Sequence, residues 1–408
     1  MTNRQAAVQI VRCLQEHGFE ALLAGGCVRD MLLGHKPKDY DVATNAKPKE
    51  VVQLFPRTLT VGVKFGVVIV LMRHSQVEVA TFRSEAGYRD GRHPDEVEFT
   101  HAAEDAGRRD FTINGMFYDP LAEQVIDYVG GQADLDRKIV RTIGDPQERF
   151  AEDYLRMLRA IRFSTRLGFA IEPATFDAIR DNAARITRIS GERIAIELEA
   201  ILVDPNRQAG TSMLFESGLA DAVFPELPDE HRQRALAILG GLRRRVDFAL
   251  ALAGFFAGCQ ADEALARCHI LKLSRRTAKH LTFLLMHRGN LLDDSMSLAR
   301  LKMLLARPYF WDLYELERAT RKAEGDRQSL AALGRLRRRI RTLRGVDVRP
   351  KPLLNGHDLI RLGATPGPVL GQLAEELYIA QLEGLLHTTD QAGEWARRWL
   401  QEHARTDS

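Results

Sequence analysis

Cysteine is scarce in this chain of 408 residues. Cys13, Cys27, Cys259 and Cys268 stand far apart, without CxxC spacing, and read as buried or incidental thiols; a zinc knuckle or a disulfide-stapled scaffold is excluded. Long apolar runs are missing too. None approaches the roughly 20 residues needed to cross a bilayer, so no membrane partner is expected. The opening MTNRQAAVQIVRCLQEHGFE scatters charges through an amphipathic pattern and lacks the basic start and apolar stretch of a secretory signal, which makes the cytoplasm the expected location. Neither sign of charge dominates, since 58 Lys and Arg against 55 Asp and Glu leave +3. Net charge therefore says little about nucleic acid, and clustering has to carry that question. There is no fixed-period repeat, heptad seam or low-complexity tract.

What is there is the composition of a soluble globular protein, 45% hydrophobic and 28% charged, on a chain too long for one ordinary core. Residues 3 to 18 predict a helix ending near Gly18, and FEALLAGGCVRDMLLG predicts a strand, a Gly-Gly turn and a helix start. KDYDVAT, GVVIVLMR, VEVATFR and EQVIDYVG follow as short β-branched runs, so a mixed sheet of about five strands is expected within the first 140 residues. From Asp145 onward Leu, Ala, Arg and Glu recur at helical spacing, and this part is expected to be all helix. The fold class is therefore α+β. Breaker-rich joints at 204 to 207, 224 to 230 and 348 to 352 divide the helical part, giving a head (1–140), a neck (141–205), a body (206–345) and a tail (346–408). Arg243, Arg244 and Arg245, and LGRLRRRIRTLRG with Arg337, Arg338 and Arg339, are dense enough to follow a phosphate backbone, or equally to form solvated helix faces.

The chemistry begins at KDYDV. Alternate residues of an extended chain project to one side, so Asp39 and Asp41 can ligate the same oxygen-seeking cations, although Asp-x-Asp is also common in loops. AGGCVRD just before it changes the balance, because Gly25 and Gly26 let backbone N–H groups approach a triphosphate and Arg29 adds a charged donor. Glu78 on a neighbouring predicted strand is either a third metal carboxylate or an exposed strand residue. In GRRDFTINGMFYDP, Arg108 and Arg109 suit phosphate oxygens and Asp110 can accept from sugar hydroxyls; alone, the trio would be a surface salt-bridge cluster. In EDYLRMLRAIRF, Asp153 and Arg156 lie three residues apart on one helix, and Arg159 and Arg162 continue the stripe. Such a helix is ordinarily salt-bridged. Its sharper reading is that the carboxylate accepts from an exocyclic amine while the guanidinium donates to the adjacent ring nitrogen, an edge that cytosine and adenine share and guanine and uracil lack.

These elements in this order resemble the bacterial class II tRNA nucleotidyltransferase and poly(A) polymerase family. The resemblance extends through IDYVGGQADLDRKIVRTIGDP and, weakly, into LLNGHDLIRLGATPGPVLG, and is least diagnostic over residues 226 to 330. It implies a polymerase-beta-like head, Mg2+ held by Asp39 and Asp41, CTP and ATP as substrates, and tRNA as acceptor. Gly26 and Arg29 would hold the incoming nucleotide, Arg109 and Asp110 its sugar and phosphates, and Asp153 and Arg156 would read the base. Arg159 and Arg162 would support the pocket. Val63, where poly(A) polymerases tend to carry a basic residue, disfavours that subfamily, and residues 84 to 99 resemble the flexible loop that CC-adding enzymes lack. Complete CCA addition is preferred over A-addition with a separate CC-adding partner. Gly115, replacing the usual alanine after Asn114, would loosen packing. A different class, an inactive RNA-binding paralogue, predicts loss of a metal carboxylate, and neither is lost.

Overall fold

A computed structural model of the protein describes residues 1–60, 66–73, 75–86 and 96–403. Val63 and most of the segment 84 to 99 lie outside them, so neither subfamily indicator has a structural counterpart here. The chain divides into two compact units, one of residues 1–236 and 262–274, the other of residues 237–261 and 275–408.

The first unit starts with the helix Asn3–Glu16. Thr2 and Gln5 cap it reciprocally, Ala6, Ala7, Ile10, Val11 and Leu14 are buried along one face, and Gly18 ends it at φ 79. Each large side chain buried there contributes roughly 1.5–3 kcal/mol. That face covers a sheet whose strands are β1 (Ala21–Ala24), β2 (Asp41–Thr44), β3 (Thr58–Leu59), β4 (Val67–Met72) and β5 (Ser75–Thr81), then β8 (Phe117–Asp119) and β9 (Gln124–Ile126). A separate hairpin joins β6 (Arg83–Ala86) to β7 (Glu96–Phe99). The strand order is β3-β4-β5-β2-β1-β8-β9, mixed because β2 and β5 run parallel while the other neighbours are antiparallel.

All five expected strands are in this sheet, which has seven strands among the described residues. The two additions, β3 and β8, are two and three residues long, too short to show a period of two, and exist through their pairing with β4 and β1. The expectation that everything after Asp145 is helical also needs correction at one place. Gly168, at φ 67, ends the helix Leu155–Leu167, and the chain then extends as β11 (Ala170–Ile171) alongside β10 (Ile139–Val140). Glu172 N–H donates to the Val140 carbonyl at 2.9 Å to close that ladder.

In the second unit the helix Phe248–Phe255 is buried on all sides, capped by Asp247. Beside it, His280 is 4% exposed and stacks on Tyr309 at 3.9 Å. Its Nδ1 lies 3.1 Å from Asp247 and its Nε2 3.3 Å from Asp312. Burial alone would depress the imidazole, but the two carboxylates outweigh it and raise its pKa from 6.5 to about 9. A folded value above the unfolded one means that the stabilisation is complete below about pH 6.5 and is lost as pH rises through about 9. The unfolding free energy from urea titrations should therefore fall between pH 6.5 and 9.5, by an amount on the order of 3 kcal/mol, and His280→Gln should remove that slope. An unchanged slope in the variant would refute the charged-imidazole account. Farther along, Leu359, Leu373, Leu377, Ala392, Ala396 and Trp399 form a core of their own. No helix among the described residues is long and apolar enough to cross a membrane.

Candidate active site

Strand register brings the acidic residues to one end of the sheet. Asp41 begins β2 opposite Ala24 of β1, and the parallel pairing of Val42 with Val79 sets Glu78 alongside Asp41. Directly after β1 the chain turns at Gly25, whose φ of 75 and ψ of −133 are open to glycine alone; a Cβ there would also stand 3.0 Å from the Arg109 guanidinium. The helix Gly26–Leu32 follows. Turn, strand ends and the helix Leu155–Leu167 enclose a cleft of about 510 Å³.

Gly25, Gly26, Arg29, Asp41, Glu78, Arg108, Arg109, Asp110, Asp153, Arg156 and Arg159 all line it. Asp39 does not; it is exposed in the loop before β2, close enough to act on Asp41 through its charge. Crowding by protein raises the Asp41 carboxyl to about 6, with the charges of Glu78 and Asp39 adding to the effect and Arg109 opposing it. Asp39, Asp41 and Glu78 do not close to within 4.8 Å of one another as three ligand atoms; among the described residues only Asp247, His280 and Asp312 do. Even so, a set of oxygen donors whose mutual repulsion raises a pKa fits a hard divalent cation, which would relieve that repulsion.

The other predicted residues are tied by both local and distant contacts. Arg108 and Arg109 both grip Asp105, at 2.7 and 2.9 Å, and Arg109 lies over the Phe117 ring at 4.9 Å. Burial works to raise the Asp105 carboxyl, but these two guanidiniums hold it below the usual range. Asp110 is held at about 2 in the same way, burial being outweighed by Arg159 and by hydrogen bonds from Asn114 and Arg159. Arg29, 3% exposed, donates to Asp30 at 2.6 Å and to the Asn114 amide oxygen at 2.6 Å. Asp153 and Arg156 do not share a helix as expected: Asp153 is extended, at φ −152, in the break between the helices Pro146–Glu152 and Leu155–Leu167, and accepts from Arg193 at 2.6 Å. Arg156 donates to the Arg149 carbonyl at 2.9 Å and pairs with Glu152. Arg162 pairs with Glu197 at 2.6 Å and lies over the Phe163 ring at 4.4 Å.

Sequence reasoning missed Asn114, Glu152, Phe163, Arg193 and Glu197. Arg193 and Glu197 stand four apart on the helix Gly191–Leu202, a spacing that marks one face but not what it faces. Glu152, four before Arg156, was the legible one. The arginine clusters belong to the second unit and are partly engaged there. Arg243 pairs with Asp312, and Arg339 donates to the Met296 carbonyl at 2.5 Å, while Arg337 and Arg338 are exposed on the helix Arg327–Thr342. Arg244 and Arg245 are exposed as well. Gly115 does not loosen the packing, because Val129 and Ile143 fill the space where a Cβ would stand, at 2.6 and 2.9 Å.

Two family descriptions match the chain, "Poly A polymerase head domain" over residues 21–141 and "Probable RNA and SrmB- binding site of polymerase A" over residues 168–230. The CCA-adding enzyme of Geobacillus sp. (strain WCH70) is 45% identical over 230 residues, 56% of this chain and 56% of that protein. The alignment thus spans little more than half of that relative. The CCA-adding enzyme of Lactiplantibacillus plantarum is 36% identical over 378 residues, covering 90% of this chain and 89% of that protein. Among solved structures, the Bacillus stearothermophilus CCA-adding enzyme in complex with CTP superposes with a TM-score of 0.83 at 28% identity over 100% of both chains. The Thermotoga maritima CCA-adding enzyme complexed with tRNA superposes at 0.69 and 21% identity over 97% and 95%, a likeness of fold.

Proposed function

The chain belongs to the bacterial class II tRNA nucleotidyltransferase and poly(A) polymerase family, and on that premise we propose that it adds C, C and A, from CTP and ATP, to the 3′ end of tRNA. The observation that carries this reading is a single cleft lined by Gly25, Gly26, Asp41, Arg109, Asp110, Asp153 and Arg156. Phosphate-approaching backbone, an acidic strand end and a base-sized donor-acceptor pair have one common use.

The 3′-hydroxyl oxygen of tRNA bonds the α-phosphorus of the incoming nucleotide, the bond from that phosphorus to the oxygen bridging the β-phosphate breaks, pyrophosphate departs with the electron pair, and the hydroxyl proton passes to water. Divalent cations, two magnesium ions in this reading, would be held by Asp41 with Asp39 and Glu78 and would supply neutralising charge to the triphosphate. The backbone at Gly25 and Gly26 lets the phosphates come close, and Arg29 and Arg109 add positive charge beside them. Asp110 accepts from the sugar. Asp153 and Arg156 present an acceptor and a donor that match C and A and leave a buried group unpaired against U or G. Residues 1–140 act as the catalytic head and 141–205 as the base-selecting neck. The body, 206–345, and the tail, 346–408, hold tRNA through phosphates, with Arg243, Arg244, Arg245, Arg337, Arg338 and Arg339 as contacts.

Labelled CTP and ATP, offered separately and together with magnesium to tRNA transcripts ending at the discriminator base, at C and at CC, test the reading. CCA completion of the shortest transcript is expected. Extension of the CC-ended transcript alone, by one A, would make this an A-adding enzyme, and long A tails would make it a poly(A) polymerase.

A further inference from the structure

Arg159 stands between two carboxylates that it serves unequally. Its Nε and Nη2 donate to Asp110 Oδ2 at 2.9 and 2.6 Å, while its Nη1 is 3.7 Å from Glu197 Oε1, beyond hydrogen-bond reach. Asp110 is thereby saturated. Its Oδ1 accepts from the Phe111 N–H at 2.8 Å and from Asn114 Nδ2 at 3.0 Å, so about four lone-pair positions, all that a carboxylate has, are taken. Nothing remains for a sugar hydroxyl.

Glu197 is the opposite case. It is 5% exposed and ion-paired through Oε2 with Arg162 Nε at 2.6 Å, while its Oε1 is the oxygen that Arg159 Nη1 approaches to 3.7 Å. A carboxylate that holds one guanidinium through one oxygen can take a second donor on the other. The Phe163 ring lies beneath both arginines, 5.4 Å from Arg159 and 4.4 Å from Arg162, so a guanidinium can shift across its face and keep its cation–π contact. Moving Arg159 from one carboxylate to the other leaves the local charge unchanged.

We propose that Glu197 is a positioning residue for ribose selection: when nucleotide binds, Arg159 transfers from Asp110 to Glu197, and the freed Asp110 Oδ2 accepts the 2′-hydroxyl. This rests on the reading of Asp110 as the sugar contact. Asp110 alone, in the arrangement that Arg159 holds, has no capacity to tell ribose from deoxyribose; the alternative carboxylate gives it that capacity.

The test compares kcat/KM for CTP and for dCTP on tRNA transcripts, using the full chain and its Glu197→Gln, Asp110→Asn and Arg159→Gln variants. In Glu197→Gln, Arg159 stays on Asp110, so kcat/KM for CTP falls about tenfold, mainly through KM, while dCTP changes by less than about twofold. Arg159→Gln leaves Asp110 open and keeps the CTP preference, and the double variant Glu197→Gln with Arg159→Gln regains it. Equal losses for both nucleotides in Glu197→Gln would make Glu197 merely structural and overturn the proposal. An intact preference there, together with a lost one in Asp110→Asn, overturns the exchange but leaves the sugar reading standing; an intact preference in Asp110→Asn overturns both. Should Glu197→Gln fail to fold, a lost preference in Arg159→Gln overturns the proposal by itself.

Discussion

Asp41→Ala should lower incorporation of CTP and ATP by at least about a thousandfold while tRNA binding, followed by filter retention, changes by no more than about twofold, because cations serve the chemistry and not the docking. The same direction is expected for Asp39→Ala. Folding should not suffer. Burial first, and the charges of Glu78 and Asp39 in addition, raise the Asp41 pKa to about 6, so the substitution removes a carboxylate that the fold holds at a cost, and the melting temperature should hold or rise. A purified double variant that still extends tRNA would remove both residues from the metal site. A variant that loses activity and melting temperature together would mean that the strand end was disrupted instead.

Arg156→Ala is expected to reduce the preference for CTP and ATP over UTP and GTP by about tenfold to a hundredfold, with a smaller change in triphosphate affinity. Arg156 is held by the Arg149 carbonyl and Glu152, and Asp153 by Arg193, so on the proposed reading each would meet the base with a partner already in place. That pre-organisation makes the donor-acceptor pair rigid enough to reject a mismatched edge. Removing the guanidinium leaves the mismatched ring N–H of guanine or uracil unopposed, and discrimination falls. Competition between labelled CTP and unlabelled UTP or GTP reads this directly, and unchanged discrimination would exclude Arg156 as the reader.

Much of the cleft was legible because its parts are local. The Gly25 and Gly26 turn, the carboxylates before and at the start of β2 and the Arg109 and Asp110 pair each lie within a few residues; Asp153 and Arg156 are near in sequence too, but a break between two helices, not helical spacing, sets them. The two short strands β3 and β8 escaped because two or three residues carry no period. Gly115 was misread for a related reason. Its neighbours Val129 and Ile143 are not sequence neighbours, so the space they fill was invisible.

By itself, then, the amino-acid order determined which residues could do chemistry and the kind of element for most of them, since helix and strand periodicity and glycine's backbone freedom are properties of short segments; Asp39 in a loop and Asp153 between two helices are the exceptions. Only the tertiary structure decided who meets whom. Arg29 reaches Asn114 across 85 residues, Arg159 reaches Asp110 across 49 and Arg193 reaches Asp153 across 40. Those pairings depend on sheet register and helix packing, which arise from the summed burial of the whole unit and leave no mark at either partner.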